Sequence, residues 1–242
     1  MPDAIFDNPQ LVAVYDAFDG PRDDLDLYEA IAAELGAGTV IDLGCGTGVF
    51  ARRLARTGIR VVGIDPAQAS IDLAEAAAAK ESLSVDFRPG TSADIPAIDA
   101  DLVTMTGNVA QVFLELDELR GVFADCARGL RRGGHLAFES RIPEVKPWTD
   151  WSDRQPKTLE VDGIGEVTET FVLGQVDLPF VSFTHLYRFA ATGDTIGSRS
   201  RLRFHGKAEI ASALEQAGFA VREIRDAPDR IGREWVFLAE RL

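Results

Sequence analysis

The chain has 242 residues, 46% hydrophobic and 26% charged, which is enough to bury a large α/β core with an insertion and is ordinary for a folded protein. Its formal net charge of −14 repels nucleic-acid backbones and anionic membrane surfaces, so neither is expected as a partner. No apolar run is long enough to span a bilayer and no leader signature opens the chain, so a cytoplasmic protein is expected; Cys45 and Cys126, without paired spacing, predict neither a disulfide scaffold nor a metal site.

Residues 8–35 predict two helices, with Pro9 suited to a first turn, Gly20-Pro21 as the break and Asp23 or Asp24 as a cap. Tyr15 and Phe18 share one face of the first helix. Thr39–Leu43 reads as a strand ending in glycines, Val49–Thr57 as a helix, Ile59–Ile64 as a strand ending at Asp65-Pro66, and Ala67–Lys80 as a helix. Val85–Arg88 and Leu102–Met105 continue as strands. Leu116–Leu130 is a helix that stops at Arg131-Arg132-Gly133-Gly134, and His135–Glu139 is the fifth strand. Strands alternating with helices imply a doubly wound, mostly parallel sheet.

From about Lys157 the period changes. Glu166–Leu173, Phe180–Ala190 and Thr195–Phe204 are β-rich with short turns, which means antiparallel pairing. Lys207–Ala217 returns to helix, and Phe219–Arg225 and Trp235–Ala239 close the domain as strands. The expected division is therefore a helical segment 1–37, an α/β core 38–142, an antiparallel β insertion 143–206 after the fifth strand, and a closing segment 207–242 of helix and hairpin. The edges of the insertion offer a surface for pairing across a two-fold axis as a homodimer.

The sharpest feature is Asp42-Leu43-Gly44-Cys45-Gly46-Thr47-Gly48, where a strand passes through glycines into the free N–H groups of a helix start. The next strand ends at Asp65, placed to accept hydrogen bonds from a ribose diol. A nicotinamide fingerprint is the rival reading, but its spacing is G-x-G-x-x-G. Here the loop reads G-x-G-x-G with an acid, Asp42, just before it, suited to a ligand's cationic group and poorly suited to a pyrophosphate. A glycine-rich connection that binds nothing is the plainest reading.

Asp42–Gly48 resembles motif I of the class I S-adenosylmethionine-dependent methyltransferases, small-molecule type. Val61–Ala67 resembles the second motif, Gly90–Pro96 the adenine-contacting loop, Asp101–Phe113 the fourth motif and Leu130–Ser140 the turn into the fifth strand. The resemblance implies a Rossmann-like, seven-stranded sheet with an antiparallel last strand, and S-adenosylmethionine as cofactor. It implies that Gly44, Cys45, Gly46 and Gly48 let the backbone approach the methionine part and that Asp65 holds the ribose. Pro66 and Ala67 would then lie beside the adenine, with Thr91 and Ser92 at its other edge. Where many relatives carry Asp, this chain has Thr91, with Asp94 as a substitute. Tyr15 would sit on a lid folded over the cofactor; a plain core contact is the alternative.

Thr106 and Asn108 end the fourth strand where the family places the cofactor's reactive end; a turn with an Asn cap is the competing reading. Gln111, Arg141, Trp148 and Trp151 lie beyond strand ends, where open α/β sheets bind ligands, although the tryptophans equally serve to pin the insertion. Of the three histidines, His135 reads as a surface residue, His205 as a turn or cap, and His185 as the candidate base, with Arg141 as its catalytic companion. Cys45, at a helix start, is expected to have a lowered thiol pKa and no redox role. The expected activity is methyl transfer to an amine or hydroxyl of a small molecule. A protein acceptor, or cofactor binding without transfer, are the alternatives.

Overall fold

The computed structural model describes residues 2–242. Seven strands form one sheet: β1 (Thr39–Leu43), β2 (Arg60–Asp65), β3 (Asp86–Pro89), β4 (Ala100–Met105), β5 (Leu130–Arg141), β10 (Phe219–Asp226) and β11 (Glu234–Arg241). Their order is β10-β11-β5-β4-β1-β2-β3, with β11 antiparallel to both neighbours. The chain starts in the middle of the sheet, moves outward through β2 and β3, then returns to β4 on the other side of β1. That reversal leaves a crevice at the carboxyl ends of β1 and β4, the usual ligand position in an open α/β sheet.

Both faces of the sheet are covered, which is why β1 and β4 read as continuous apolar runs. The period of two in β5 divides the cores: Leu136 and Phe138 enter one cluster and Ala137 the other. On the first side α6 (Leu116–Gly129) and α8 (Lys207–Gln216) supply Phe123 and Leu214 to a core in which Phe138 stacks on Phe237 at 5.2 Å. The other side is covered by α3 (Leu25–Glu34), α4 (Val49–Arg56) and α5 (Gln68–Lys80), through Ile31, Leu54 and Ala74.

Between β5 and α8 lies a second, four-stranded antiparallel sheet in the order β6-β7-β8-β9. It is made of β6 (Lys157–Val161), β7 (Gly165–Asp177), β8 (Phe180–Phe189) and β9 (Thr195–Arg203), preceded by the short helix α7 (Trp148–Trp151). Three of these strands follow from the sequence. β6 does not, because Lys157–Val161 is largely exposed and alternates too weakly to declare itself.

One face of this sheet is apolar and packs in two places. At one end Val167, Tyr187 and Phe189 meet Ile5, Leu11 and Val14 of the helices α1 (Ala4–Asp7) and α2 (Pro9–Asp19). At the other, Val181, Leu202 and Phe204 enclose Trp148. α2 starts as its proline suggests, with the Asn8 side chain accepting from the N–H groups of Gln10 and Leu11. Asp24 precedes α3, but its carboxylate caps nothing there; it pairs with Arg22 at 2.9 Å instead. No described helix is long and apolar enough to cross a membrane.

Candidate active site

The turn after β1 is fixed by backbone geometry that other residues resist. Gly44, Gly46 and Gly48 have φ of +76°, +52° and +73°, the left-handed region. A Cβ at Gly44 would lie 2.5 Å from Val109 Cγ2, and one at Gly48 would lie 2.6 Å from the Phe87 ring. A Cβ at Gly46 would meet nothing within 4 Å. The outer two glycines therefore serve packing, while the middle one faces open space.

Asp65 ties this turn to β2: its carboxylate accepts the N–H of Gly46 and that of Ala67, both at 2.9 Å. Burial raises its pKa, and these two N–H groups pull the other way. Pro66 is exposed and Ala67 buried at the start of α5. Asp42, at the end of β1, accepts from the Thr104 hydroxyl at 3.0 Å, and its second oxygen is buried with no partner. Its pKa is pushed up to about 7, chiefly by burial. Cys45 departs from expectation: burial drives its thiol well upward, outweighing the helix start, so it is inert.

The third-strand loop forms its own structure. Thr91 caps a short turn whose Asp94 accepts the Thr91 N–H at 2.8 Å, and the Ser92 hydroxyl donates to Asp125 of α6 at 2.7 Å. The Ser92 hydroxyl proton is thus committed to α6.

The N-terminal helices close over this turn. Asp16 of α2 accepts from the Thr47 hydroxyl at 2.6 Å, and the Phe6 carbonyl accepts from Ser70 of α5 at 2.6 Å. The same helices reach the insertion, where the Ser198 hydroxyl takes the Ile5 N–H at 2.9 Å and Lys157 donates to the Phe18 carbonyl at 3.0 Å. Tyr15 is half-buried against Phe6, and burial raises its pKa. Phe18 stands edge-on to Tyr187 at 5.2 Å.

On the opposite side, buried polar groups gather around the ends of β4, β5 and β11. Tyr28 and the Asn108 N–H both donate to Glu139, whose pKa is pushed up to about 7 by burial first and by Glu234 second. Asn108 adopts a left-handed φ of +63°, is 2% exposed, and donates its side-chain amide to Glu234 at 3.1 Å. It stands at the N-cap position of the short turn Val109–Val112 without a side-chain capping bond, brackets the β4 loop to β11, and keeps a buried side-chain oxygen with no hydrogen-bond partner among the described residues. Thr106, just before it, is buried.

Gln111 is also a bracket, fully buried in the short turn Val109–Val112. It donates to the Arg203 carbonyl at 3.2 Å and accepts from Arg141 at 3.0 Å, so it holds the Arg141 guanidinium in place. Trp148 leaves the acceptor set, because it is sealed against Phe204 with centroids 4.9 Å apart. Trp151 stays half-exposed, and the Arg141 guanidinium lies over its ring at 5.4 Å.

The part-exposed middle of the insertion face carries His185. Its Nδ1 is 2.7 Å from Glu169, and its ring stands edge-on to Phe171 and Phe183. The bond to His185 holds the Glu169 carboxyl below its usual range, aided by Arg154 at 3.7 Å. The other histidines take no part: His205 is buried, bonded to the Phe113 carbonyl, with burial lowering its pKa, and His135 is half-buried near Glu240. Asp16, Glu169 and Glu234 went unread in the sequence because nothing local marks them; each becomes informative only through a distant partner. Among the described residues no cluster of His, Cys, Asp or Glu is arranged to hold a metal.

Residues 40–134 match a methyltransferase-domain family model. A ubiquinone biosynthesis O-methyltransferase of Azorhizobium caulinodans is 36% identical over 202 residues, covering 83% of this chain and 66% of that protein. One of Methylocella silvestris is 38% identical over 104 residues, covering 43% of this chain and 39% of that protein. The matched regions thus span less than two thirds of these relatives.

An S-adenosylmethionine-dependent methyltransferase from Clostridium acetobutylicum superposes with a TM-score of 0.77 at 16% identity, over 97% of this chain and 98% of the other. A sugar N-methyltransferase from Streptoalloteichus does so at 0.72 and 19%, over 91% and 87%. A sequence match across the glycine turn and a fold match along nearly the whole length converge: residues 40–134 form a methyltransferase domain, and the chain has the fold of the class I S-adenosylmethionine-dependent methyltransferases.

Proposed function

We propose that the chain transfers the methyl group of S-adenosylmethionine to an amine or hydroxyl of a small molecule, with His185 as the base. The residues after β1 and β2 fit the cofactor. The space at Gly46 admits close backbone approach, the orphaned Asp42 oxygen suits a cationic group, and the Asp65 carboxylate retains acceptor capacity for a diol. Thr106 and Tyr15 belong to this set, as do Pro66, Ala67 and Thr91 beside the adenine. The cofactor supplies an electrophilic methyl on a sulfonium, so the protein's task is alignment, water exclusion and proton handling.

The observation that carries the acceptor half is the contact of His185 with Glu169. A carboxylate accepting from Nδ1–H assigns the proton to that nitrogen and leaves Nε2 with a lone pair, on a partly exposed aromatic face. Such a base takes the proton that a hydroxyl or ammonium must lose as its oxygen or nitrogen forms the new bond to carbon. Closure by α1 and α2 against both the core and the insertion favours a small acceptor over a protein segment. The insertion's outer strands, β6 and β9, remain sheet edges, and a homodimer through them is part of the proposal, tested by solution mass.

The test is transfer of an isotopically labelled methyl group to a panel of hydroxylated and aminated small molecules. Label in a small molecule is expected. His185→Gln should lower kcat about 100-fold at neutral pH, with a smaller loss for hydroxyls at high pH. Label found only in protein substrates, or an unchanged kcat in the variant, would overturn the corresponding half of the proposal.

A further inference from the structure

Arg141 is held from one edge only. Its Nη1 donates to Gln111 at 3.0 Å, and Gln111 is itself anchored to the Arg203 backbone. The nearest carboxylate, Glu234, is 3.6 Å from Arg141 Nε, beyond ordinary hydrogen-bond length. Glu234 is committed elsewhere, to Arg230 at 2.8 Å and to the Asn108 amide at 3.1 Å. The other buried acid nearby, Glu139, is occupied by Tyr28 and the Asn108 backbone, and half-protonated near neutrality. Arg154 has the same kind of loose ion pair, with Glu169 at 3.7 Å. The Arg141 guanidinium is therefore hydrogen-bonded through the Gln111 amide, with Glu234 as a looser ion pair at 3.6 Å, and lies over the Trp151 ring at 5.4 Å. It keeps 23% side-chain exposure, and among the described residues its Nη2 has no hydrogen-bond partner. A guanidinium fixed on one edge and open on the other is a ready fork for an oxyanion.

Beside it the insertion presents flat rings. Trp151 stands edge-on to Phe183 at 5.6 Å and to Phe171 at 6.0 Å, and those two rings stack at 5.2 Å. His185 closes the far side of the same pair. This half-buried aromatic face connects the Arg141 fork to His185 and offers flat apolar surface of the kind on which a planar ring stacks.

We infer that the acceptor is a planar ring bearing a carboxylate, which Arg141 binds through its open edge while the methyl-accepting atom faces His185. This rests on the methyltransferase reading above and narrows it to a substrate class. The overall negative field of the chain disfavours anions, so the open edge of the Arg141 guanidinium is what admits one.

The experiment is calorimetry on the full chain saturated with S-adenosylhomocysteine, with catechol carboxylate and catechol carboxamide as matched probes. The wild type should bind the carboxylate about tenfold or more tighter than the amide. Arg141→Met should bind both probes equally, at the level of the amide, with unchanged affinity for S-adenosylhomocysteine. Arg141→Gln serves if the methionine variant does not fold. Equal binding of the two probes by the wild type, binding of neither at millimolar concentration, or a preference that survives loss of Arg141 would overturn the inference. Failure of the wild type to bind S-adenosylhomocysteine would instead overturn the methyltransferase reading.

Discussion

The proposed cofactor side is drawn from one stretch, residues 42–67, and presents backbone N–H groups, two carboxylates and a glycine facing space. The proposed acceptor side gathers Gln111, Arg141, Trp151, Phe171, His185 and Glu234 from both sheets and the connections between them. The first is a property of main-chain conformation, which tolerates few residue types. The second is a property of side-chain packing, which tolerates many. Substitutions should therefore act differently in the two regions, as lost folding or cofactor binding in one and as altered turnover or acceptor choice in the other.

The largest effect is expected inside the glycine turn. Gly44→Ala combines a left-handed φ with a Cβ 2.5 Å from Val109, and should cost about 3 kcal/mol of stability in a melting experiment. Gly46→Ala has the strain but not the clash, so it should cost about 1 kcal/mol while still blocking the cofactor. Equal loss of stability in both would erase the distinction between packing and ligand-facing glycines.

Next, Asp65→Ala should weaken S-adenosylmethionine by about 1.5–3 kcal/mol in a titration, since it removes the proposed charge-assisted ribose contact and loosens Gly46. Unchanged affinity would show that this acid is not the ribose ligand.

A pH-dependent effect concerns the buried acid on the proposed acceptor side. The Glu139 pKa is raised from 4.5 to about 7, so the folded state binds the proton more tightly than the unfolded one. The stability from this group is full below about pH 4.5 and is lost as pH rises through about 7. Between about pH 5 and about pH 8 the loss should be about 2 kcal/mol, and Glu139→Gln should flatten that slope in denaturant titrations at the two pH values.

The same contrast explains what could be read in advance. Strand–glycine–helix punctuation at Leu43–Gly48 and an acid closing the next strand carry their geometry in the sequence, because only glycine takes those φ values at low cost. The alternation of strands and helices exposed the parallel sheet and three of the four insertion strands. Asn108, Gln111 and Trp148 were legible as residues near the crevice but not in their roles, because a buried amide or indole is defined by partners far along the chain. Glu234 lies at the start of β11 with no local motif, and only antiparallel pairing with β5 brings it opposite Arg141. Cys45 shows the same limit in reverse: its place at a helix start is local, whereas the burial that decides its pKa is not.

The most direct test of the central claim is calorimetric titration of the purified chain with S-adenosylmethionine, S-adenosylhomocysteine and NAD side by side. Micromolar binding of the two adenosyl compounds with no NAD binding is the predicted result. Binding of NAD alone would contradict it, and the glycine turn would then belong to a dinucleotide site.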